Sequence, residues 1–280
     1  MNRRFDLPEQ LPLPEQRGQT FVKLVEVMQR LLSPDGCPWD REQTIDSLRP
    51  YVLEEACEVM DAIDSGDRSQ LCEELGDLAL QIAFHSELAR REAAFGPDDV
   101  VRGICEKLVR RHPHVFADVK VEGADDVVRN WDAIKAGEKR ERGLLDGIPR
   151  SLPALQRAHC SSEKAARVGF DWPDPRGSRA KVSEELRELD EAIGIGSRDA
   201  IEHELGDVLF ALVNLARHHG IDPELALRRT ADKFAARFAH VEEQVRRHHG
   251  DWPRDERGKP TRGLSLEELD GYWEEAKRSP

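Results

Sequence analysis

The stretch KVSEELRELDEAIGIGSRDAIEHELGD, residues 181–207, decides the expected fold. It carries two acidic pairs with i, i+3 spacing, Glu185 with Glu188 and Glu204 with Asp207. Residues three apart lie on one face of a helix, so each pair presents its carboxylates from the same side. Between the pairs the segment GIGS, residues 194–197, breaks the helix and lets the second half fold back on the first. The stretch therefore predicts an antiparallel helix hairpin on which four carboxylates converge.

Converging carboxylates indicate a bound cation. Two unit charges about 4 Å apart repel by roughly 4 kcal/mol at an effective dielectric constant of ~20. The four groups would therefore not converge without a cation among them. Because all-oxygen ligation suits a hard divalent ion, we expect Mg²⁺, with Mn²⁺ as a substitute.

The pattern occurs a second time, in YVLEEACEVMDAIDSGDRSQLCEELGD, residues 51–77. This stretch aligns without a gap with residues 181–207, which lie 130 positions later. Its matching acids are Glu55, Glu58, Glu74 and Asp77. One surface pair of acids is common on a solvated helix, but two adjoining pairs that recur together are hard to obtain by accident. A period this long exceeds that of solenoid repeats and has the size of a domain, so we infer a tandem duplication.

Length and charge restrict the class of protein. A chain of 280 residues corresponds to about two domains of ordinary size. The formal net charge of −13 argues against a nucleic-acid polymer as partner, because phosphate backbones bind basic surfaces. No apolar run approaches the ~18 residues that span a bilayer, so we expect no membrane association.

The N-terminus and the cysteines favour a cytoplasmic protein. The first residues, MNRRFDLPEQLPLPEQ, lack the apolar segment of a secretory signal. The five cysteines are an odd number and have no CxxC spacing, so we expect reduced thiols.

Apolar periodicity predicts an all-α fold, since no stretch alternates as a β-strand does. We expect four segments: a flexible N-terminal arm over residues 1–19, an N-terminal domain over 20–142, a linker over 143–151 and a C-terminal domain over 152–280. Helices are expected over 50–63, 69–93, 98–111, 125–140 and 152–168, and from residue 222 to about 249. The segments at 37–40 and 169–177 are expected to be loops, and 112–116 to end the helix before it. The loops contain Trp39 and Trp172, each of which either stacks on a base or closes a bundle end.

Basic and aromatic residues follow each hairpin at helical spacing. They are Lys107, Arg111 and Trp131 in the first half, and Lys233, Arg237, Trp273 and Lys277 in the second. We interpret the basic side chains as neutralising phosphate oxygens that the cation does not reach. The tryptophans would offer a flat face to a base. The alternatives are solvated charges and tryptophans that pack within the bundle.

At these residues the chain resembles the MazG-type nucleoside triphosphate pyrophosphohydrolases of the all-α NTP pyrophosphatase superfamily. The signature is EExxE, a spacer and ExxD. It stands here as EEACE at 54–58 with ELGD at 74–77, and as EELRE at 184–188 with ELGD at 204–207. The segments GCPWD (36–40), RRHPHVF (110–116), VGFDW (168–172) and LGDVLFALVNLARH (205–218) are also similar. The resemblance covers nearly all of the chain after about residue 20.

The resemblance implies Mg²⁺-dependent hydrolysis of NTPs and dNTPs to the monophosphate and pyrophosphate. It implies a fold of tandem MazG-like four-helix bundles that are completed by dimerisation, and a C-terminal domain that holds the competent site. The residues that match the family's metal ligands are Glu185, Glu188, Glu204 and Asp207. Those that match its nucleotide contacts lie at 181–185, at 233–237 and at Trp273. A role in clearing aberrant nucleotides or lowering alarmone levels is suggested only by this kinship.

Differences between the two copies independently favour the second site. Lys181 corresponds to Tyr51 and Asn214 to Phe84, so the first copy keeps the acids but lacks an ammonium and an amide. The predicted substrate contacts are Lys181, Glu184, Asn214, Lys233, Arg237, Trp273 and Lys277. The first site, predicted to be weak or inactive, comprises Glu55, Glu58, Glu74, Asp77, Lys107, Arg111 and Trp131. His203 replaces Glu73 of the first copy, and it would alter metal number or pH dependence if it faced the site.

The expected reaction is metal-assisted cleavage of a phosphoanhydride. The cation would polarise a phosphate and lower the pKa of a water molecule. Lys233 and Arg237 would offset charge on the leaving pyrophosphate, and one of the carboxylates could also take the proton of the water. The rival hypothesis is a non-catalytic dimeric helical module that senses a nucleotide or binds a partner. Di-iron carboxylate bundles need Glu-x-x-His motifs, and no glutamate here has a histidine three residues later.

Overall fold

The computed structural model describes residues 11–18, 20–123, 126–127, 130–131, 134, 143–259, 261 and 263–278. Over these ranges the chain is helical and contains no β-strand, so the predicted all-α class is confirmed. The chain divides into two units, residues 1–140 and 141–280. The finer boundaries, including the linker at 143–151, stay predictions, and the predicted arm lies mostly outside the described residues.

The helices of the first unit are α1 Phe21–Leu31, α2 Pro38–Glu42, α3 Arg49–Ser65, α4 Arg68–Arg91, α5 Pro97–Arg111 and α6 Pro113–Phe116. A short 3-10 turn, Leu13–Glu15, precedes them. Of the helix predicted over 125–140, the described residues Asp126, Val127, Asn130, Trp131 and Ile134 are helical. The helices of the second unit are α7 Ala154–Arg167, α8 Pro175–Ile195, α9 Arg198–His218, α10 Pro223–His249 and α11 Leu266–Arg278.

The same turn closes the hairpin in both units. Helix α8 ends at Gly196, whose φ of 77° lies in the left-handed region that glycine adopts without strain. Ser197 then caps α9 by accepting a hydrogen bond from the backbone N–H of Ala200. In the first unit Gly66 has a φ of 74°, and Asp67 caps α4. The sequence break at 194–197 therefore forms the predicted antiparallel hairpin.

Three predicted boundaries are wrong, and proline explains each. Helix α8 begins at Pro175, within the loop predicted at 169–177, because Asp174 caps it and proline is tolerated in a first turn. The CPWD segment, predicted as a loop, leads into the short helix α2, which begins at Pro38. Pro113 likewise starts α6 where only the end of a helix was predicted.

The core of the first unit lies between α1 and α4. Its buried residues are Met28, Leu32, Leu48, Ala83, Phe84 and Leu88. In the second unit the buried apolar side chains on the hairpin are Val182, Ala192, Val208, Ala211 and Val213. Burial of this stripe holds α8 against α9 and fixes the faces that carry the acids. Among the described residues, no helix is both long and apolar enough to cross a bilayer.

Candidate active site

Three carboxylates of the second unit converge between α8 and α9. Glu185, Glu188 and Glu204 each offer an oxygen, and these oxygens all lie within 4.8 Å of one another. Glu185 is only 6% exposed. The spacing i, i+3 on α8 and the hairpin turn bring these three groups to one place. Asp207, the fourth acid predicted to converge, is grouped instead with Glu204 and His203.

The electrostatics of the cluster suit a cation. Desolvation by burial raises the pKa of Glu188 above its ordinary value, and the charge of Glu185 adds to this rise. Such repulsion opposes the ionised state until a positive charge offsets it. Carboxylate oxygens are the ligands that Mg²⁺ and Mn²⁺ prefer, so the residues present fit a hard divalent ion.

Lys181 supplies one positive charge one turn before the acids. Its Nζ donates hydrogen bonds to Glu184 at 2.7 Å and lies 2.6 Å from an oxygen of Glu185. These contacts raise the pKa of Lys181 and lower the pKa of Glu184. The ammonium group is therefore fixed beside the cluster rather than free in solvent.

Asp207 and His203 extend the cluster along α9. The Nδ1 atom of His203 lies 3.1 Å from Asp207 Oδ2 and 3.6 Å from Glu204 Oε1. Glu204 thus belongs both to the group with Glu185 and Glu188 and to a group with His203 and Asp207. The His203 side chain is 75% exposed, but its ring is turned toward the acids. His203 therefore faces the site, which is the condition under which it would alter metal number or pH dependence.

A cavity of about 690 Å³ opens beside the acids. Four residues predicted to act in the site line it, namely Lys181, Glu185, Asp207 and Asn214. Its other walls are largely apolar and include Phe170, Trp172 and Phe210. Pockets for cofactors and small molecules have about this volume and this mixture of apolar walls with few polar groups. Of the four predicted acids, Glu185 and Asp207 therefore border an open space, while Glu188 and Glu204 do not line it.

A polar network lies in the wall of this cavity. Arg217 donates through Nη2 to Asp171 Oδ1 at 2.5 Å, and its Nε donates to Asn214 Oδ1 at 2.9 Å. His218 Nε2 lies 3.0 Å from the same Asp171 oxygen. Arg217 and His218 lower the pKa of Asp171. The loop that carries Asp171 and Trp172 is thereby tied to the end of α9.

The structure does not bring the predicted basic residues of α10 to this cavity. Lys233 is exposed, and neither it nor Arg237 lies among the residues that line the cavity. The guanidinium of Arg237 lies 5.9 Å from the ring centre of Trp273, which packs against Phe234 with ring centres 5.1 Å apart. Lys277 pairs with Glu274 on α11. Within one chain, Trp273 therefore packs between α10 and α11. This corresponds to the alternative in which the tryptophan packs within the bundle instead of contacting a base.

The first unit contains a corresponding acid cluster. Oxygens of Glu55, Glu58 and Glu74 lie within 4.8 Å of one another. Desolvation raises the pKa of Glu55, and the charges of Asp77 and Glu58 contribute. Arg111 lies 5.5 Å from the ring centre of Trp131, which parallels the contact between Arg237 and Trp273. Lys107 is exposed on α5.

The surroundings of the two clusters differ. Tyr51, in place of Lys181, makes an edge contact with Trp39 at 6.3 Å between ring centres. Phe84, in place of Asn214, is 3% exposed and belongs to the core. One helical turn further, Glu87 occupies the position of Arg217 and is fully buried, where it accepts hydrogen bonds from Gln29 and Arg90. In the first unit, buried side chains thus occupy the positions of Asn214 and Arg217, which border the cavity in the second unit.

Asp171 and Arg217 were not among the predicted site residues. The charge reversal between Glu87 and Arg217 in the aligned copies is the signal that could have identified Arg217. Asp171 had no such signal, because its contact with α9 joins residues 46 positions apart.

Comparisons with known proteins identify relatives over nearly the whole chain. The MazG nucleotide pyrophosphohydrolase domain matches residues 43–116 and 175–242. The nucleoside triphosphate pyrophosphohydrolase/pyrophosphatase MazG of Thermotoga maritima is 43% identical over 265 residues, which cover 94% of this chain and 98% of that protein. The nucleoside triphosphate pyrophosphohydrolase of Escherichia coli (strain K12) is 42% identical over 262 residues, covering 91% and 96%.

Among solved structures, the crystal structure of a mazG-related protein from Thermotoga maritima is similar to part of this chain. The match covers 41% of this chain and 97% of that one, at 26% identity. The TM-score of 0.37 is too low for an argument about structure.

Proposed function

The chain belongs to the MazG nucleotide pyrophosphohydrolase family, and on that basis we propose that its second unit hydrolyses nucleoside and deoxynucleoside triphosphates to the monophosphate and pyrophosphate. As an enzyme it is a hydrolase of the class for which its relatives are named. One observation supports this most: three carboxylates meet within 4.8 Å beside a cavity that also displays Lys181 and Asn214.

In this proposal Glu185, Glu188, Glu204 and Asp207 hold Mg²⁺, with Mn²⁺ as a substitute. A bound divalent ion would polarise a phosphate oxygen and lower the pKa of a water molecule. The carboxylates themselves orient that water and accept its proton. Glu188 suits the proton-accepting role because desolvation by burial raises its pKa above the ordinary value of a glutamate.

Lys181 and Asn214 would position the substrate within the cavity. The ammonium of Lys181 pairs with Glu184 and Glu185 and therefore lies along the acid face. A charge-assisted hydrogen bond from this group to a phosphate oxygen would be stronger than a neutral one. The apolar walls around Phe170, Trp172 and Phe210 suit the base.

The assay that tests this function is pyrophosphate release from a panel of NTPs and dNTPs, with and without a divalent ion. We expect monophosphate and pyrophosphate in equal amounts with Mg²⁺ or Mn²⁺, and no turnover in excess chelator. Release of orthophosphate instead, or no turnover of any nucleotide with metal present, would contradict the proposal. The second outcome would favour the rival hypothesis of a non-catalytic helical module with a structural ion.

We also propose that the chain acts as a homodimer. Apolar side chains on the second hairpin remain 44–54% exposed, namely Leu186, Ile193, Leu205, Leu209 and Leu212. Exposed apolar groups at helical spacing indicate a surface that another protein covers. A second copy that packs on this face would complete the bundle and could bring Lys233 and Arg237 to the phosphates of the partner's substrate.

Leu209→Glu is expected to convert the protein from the mass of a dimer to the single-chain mass of 31.8 kDa. Burying the new carboxylate against the apolar face of a partner would cost several kcal/mol. Light scattering after gel filtration measures the mass. Leu266→Glu, an equally drastic change at an exposed site outside the hairpin, serves as the control and should leave the mass unchanged. A wild-type protein with the single-chain mass would contradict the dimer.

The place and purpose of the reaction are also part of the proposal. All five cysteines are free, which fits a reducing compartment such as the cytoplasm. The proposal that the reaction clears aberrant nucleotides or lowers alarmone levels rests on kinship with the family alone.

A further inference from the structure

Arg217 joins two parts of the cavity wall with one guanidinium group. It lies on the last turn of α9, and its side chain is 14% exposed. Its Nη2 donates to Asp171 Oδ1 at 2.5 Å and to Asn214 Oδ1 at 2.7 Å, and its Nε adds a bond to Asn214 Oδ1 at 2.9 Å. Both acceptors line the cavity beside the acids.

These bonds fix the orientation of the Asn214 amide. An arginine side chain can only donate, so the oxygen of Asn214 must face it and the NH₂ group must point elsewhere. Within the described residues, no acceptor takes a hydrogen bond from Asn214 Nδ2. The side chain therefore offers its two N–H groups as donors to a molecule in the cavity.

The same network leaves one oxygen of Asp171 available. Oδ1 accepts from Arg217 and from the backbone N–H of Trp172, and it lies 3.0 Å from His218 Nε2. Within the described part of the chain, Oδ2 has no corresponding partner. Arg217 also lowers the pKa of this carboxyl, so Oδ2 is a charged acceptor at neutral pH. Because one guanidinium nitrogen binds both Asp171 and Asn214, the free donor and the free acceptor belong to neighbouring groups.

We propose that Arg217 is a positioning residue that holds Asn214 as donor and Asp171 as acceptor for the edge of a nucleobase. The edge they recognise is a lactam, in which a carbonyl oxygen stands next to a ring N–H, as in hypoxanthine, guanine and uracil. The amide N–H groups of Asn214 donate to the carbonyl oxygen, and Asp171 accepts from the ring N–H. This inference rests on the proposed function, since it assigns the base subsite of the same cavity.

The first unit lacks the amide and the arginine of this device. Phe84 and Glu87 replace Asn214 and Arg217, and Glu87 is engaged with Gln29 and Arg90 in the core. The pairing of an amide with an arginine one turn later is thus confined to the copy whose acids adjoin the cavity.

Three triphosphates that share the same cleaved phosphoanhydride bond but differ in the base test the inference. They are inosine triphosphate, purine riboside triphosphate, which lacks the carbonyl and the ring N–H, and ribose 5-triphosphate, which lacks the base. For the wild type we expect kcat/KM to be about 10- to 100-fold higher for inosine triphosphate than for purine riboside triphosphate. Arg217→Met should bring this ratio close to one, because the loss falls on inosine triphosphate. Arg217→Lys, which keeps a donor but not the fork, should give an intermediate ratio.

Two further variants separate positioning from folding. Arg176→Ala removes an exposed pair with Asp174 on the segment that follows the same loop, and it should keep the wild-type ratio. Asn214→Asp keeps the shape and the contact with Arg217 but replaces the donor by an acceptor, so it should also abolish the preference for inosine triphosphate. Circular dichroism and thermal unfolding establish that each variant is folded.

A wild-type ratio near one would overturn the inference. So would a parallel fall for all three substrates in Arg217→Met, because a purely structural role lowers every activity together. If the wild type hydrolysed none of the three, the proposed function itself would fail, and the inference with it.

Discussion

Replacing Glu204 by glutamine is expected to lower kcat/KM for a triphosphate by about 10³-fold or more, which corresponds to ~4 kcal/mol of transition-state stabilisation. Glu204 is the carboxylate shared by the group with Glu185 and Glu188 and by the group with His203 and Asp207. Glutamine keeps its shape but removes the charge that would bind a divalent ion. Steady-state pyrophosphate release with Mg²⁺ measures the loss.

The duplication provides a matched control for this variant. Glu74 occupies the corresponding position in the first unit and belongs to the cluster with Glu55 and Glu58. Glu74→Gln should cost less than about tenfold, because the core around Phe84 and the exchange of Lys181 for Tyr51 leave that cluster without the substrate groups. Equal losses in the two variants would refute the assignment of catalysis to the second unit.

Lys181→Met is expected to lower kcat/KM by about 10²-fold. The substitution removes the ammonium that adjoins Glu184 and Glu185 and lines the cavity. Glu185, at 6% exposure, then loses its nearby positive charge, and the phosphates lose a charged donor. Both kcat and KM should change, because the same ammonium group pairs with the acids of the cluster and would also contact the substrate phosphates.

Lys23→Met is the control for this change. Lys23 pairs with Glu26 at 2.7 Å with i, i+3 spacing, which is the geometry of the pair between Lys181 and Glu184, and the exposure of the two pairs is similar. It lies on α1 and belongs to neither acid cluster, so its loss should leave turnover within about twofold of wild type. A comparable loss in both variants would show that Lys181 acts only through general stability.

The sequence was sufficient for features that depend on local spacing. The hairpin follows from acids at i, i+3 and from a glycine where the chain turns with positive φ at Gly196. The caps at Asp222 and Ser265 also act within one turn of the helices they start. Local rules failed at Pro38 and Pro113, where a proline starts a short helix instead of a loop.

Contacts between distant segments could not be predicted in this way. The bond between Arg217 and Asp171 depends on how the loop after α7 packs on the end of α9, and no periodicity encodes that packing. The same limit applies to Lys233 and Arg237. Their helical spacing is real, but the structure of one chain directs Arg237 to Trp273 rather than to the cavity.

Comparison of the two copies recovers part of what local rules miss. Both copies keep the acids. Where a residue near these acids differs between the copies, its side chain is a candidate for a role in only one unit. Lys181 and Asn214 were recognised in this way, and the same comparison extended by one turn leads to Arg217. Duplication therefore supplies within one chain some of the contrast that a set of relatives would give.

The most direct test of the account is Mn²⁺ binding, measured by the loss of the free-ion electron paramagnetic resonance signal. The background should be Glu74→Gln, which weakens the first cluster, with and without Glu204→Gln. We predict that Glu204→Gln lowers the Mn²⁺ affinity by about tenfold or more and removes one bound ion at limiting metal. If the double variant bound Mn²⁺ with the same number and affinity as Glu74→Gln alone, the acids of α8 and α9 would not hold the ion, and the proposed catalytic role would be wrong.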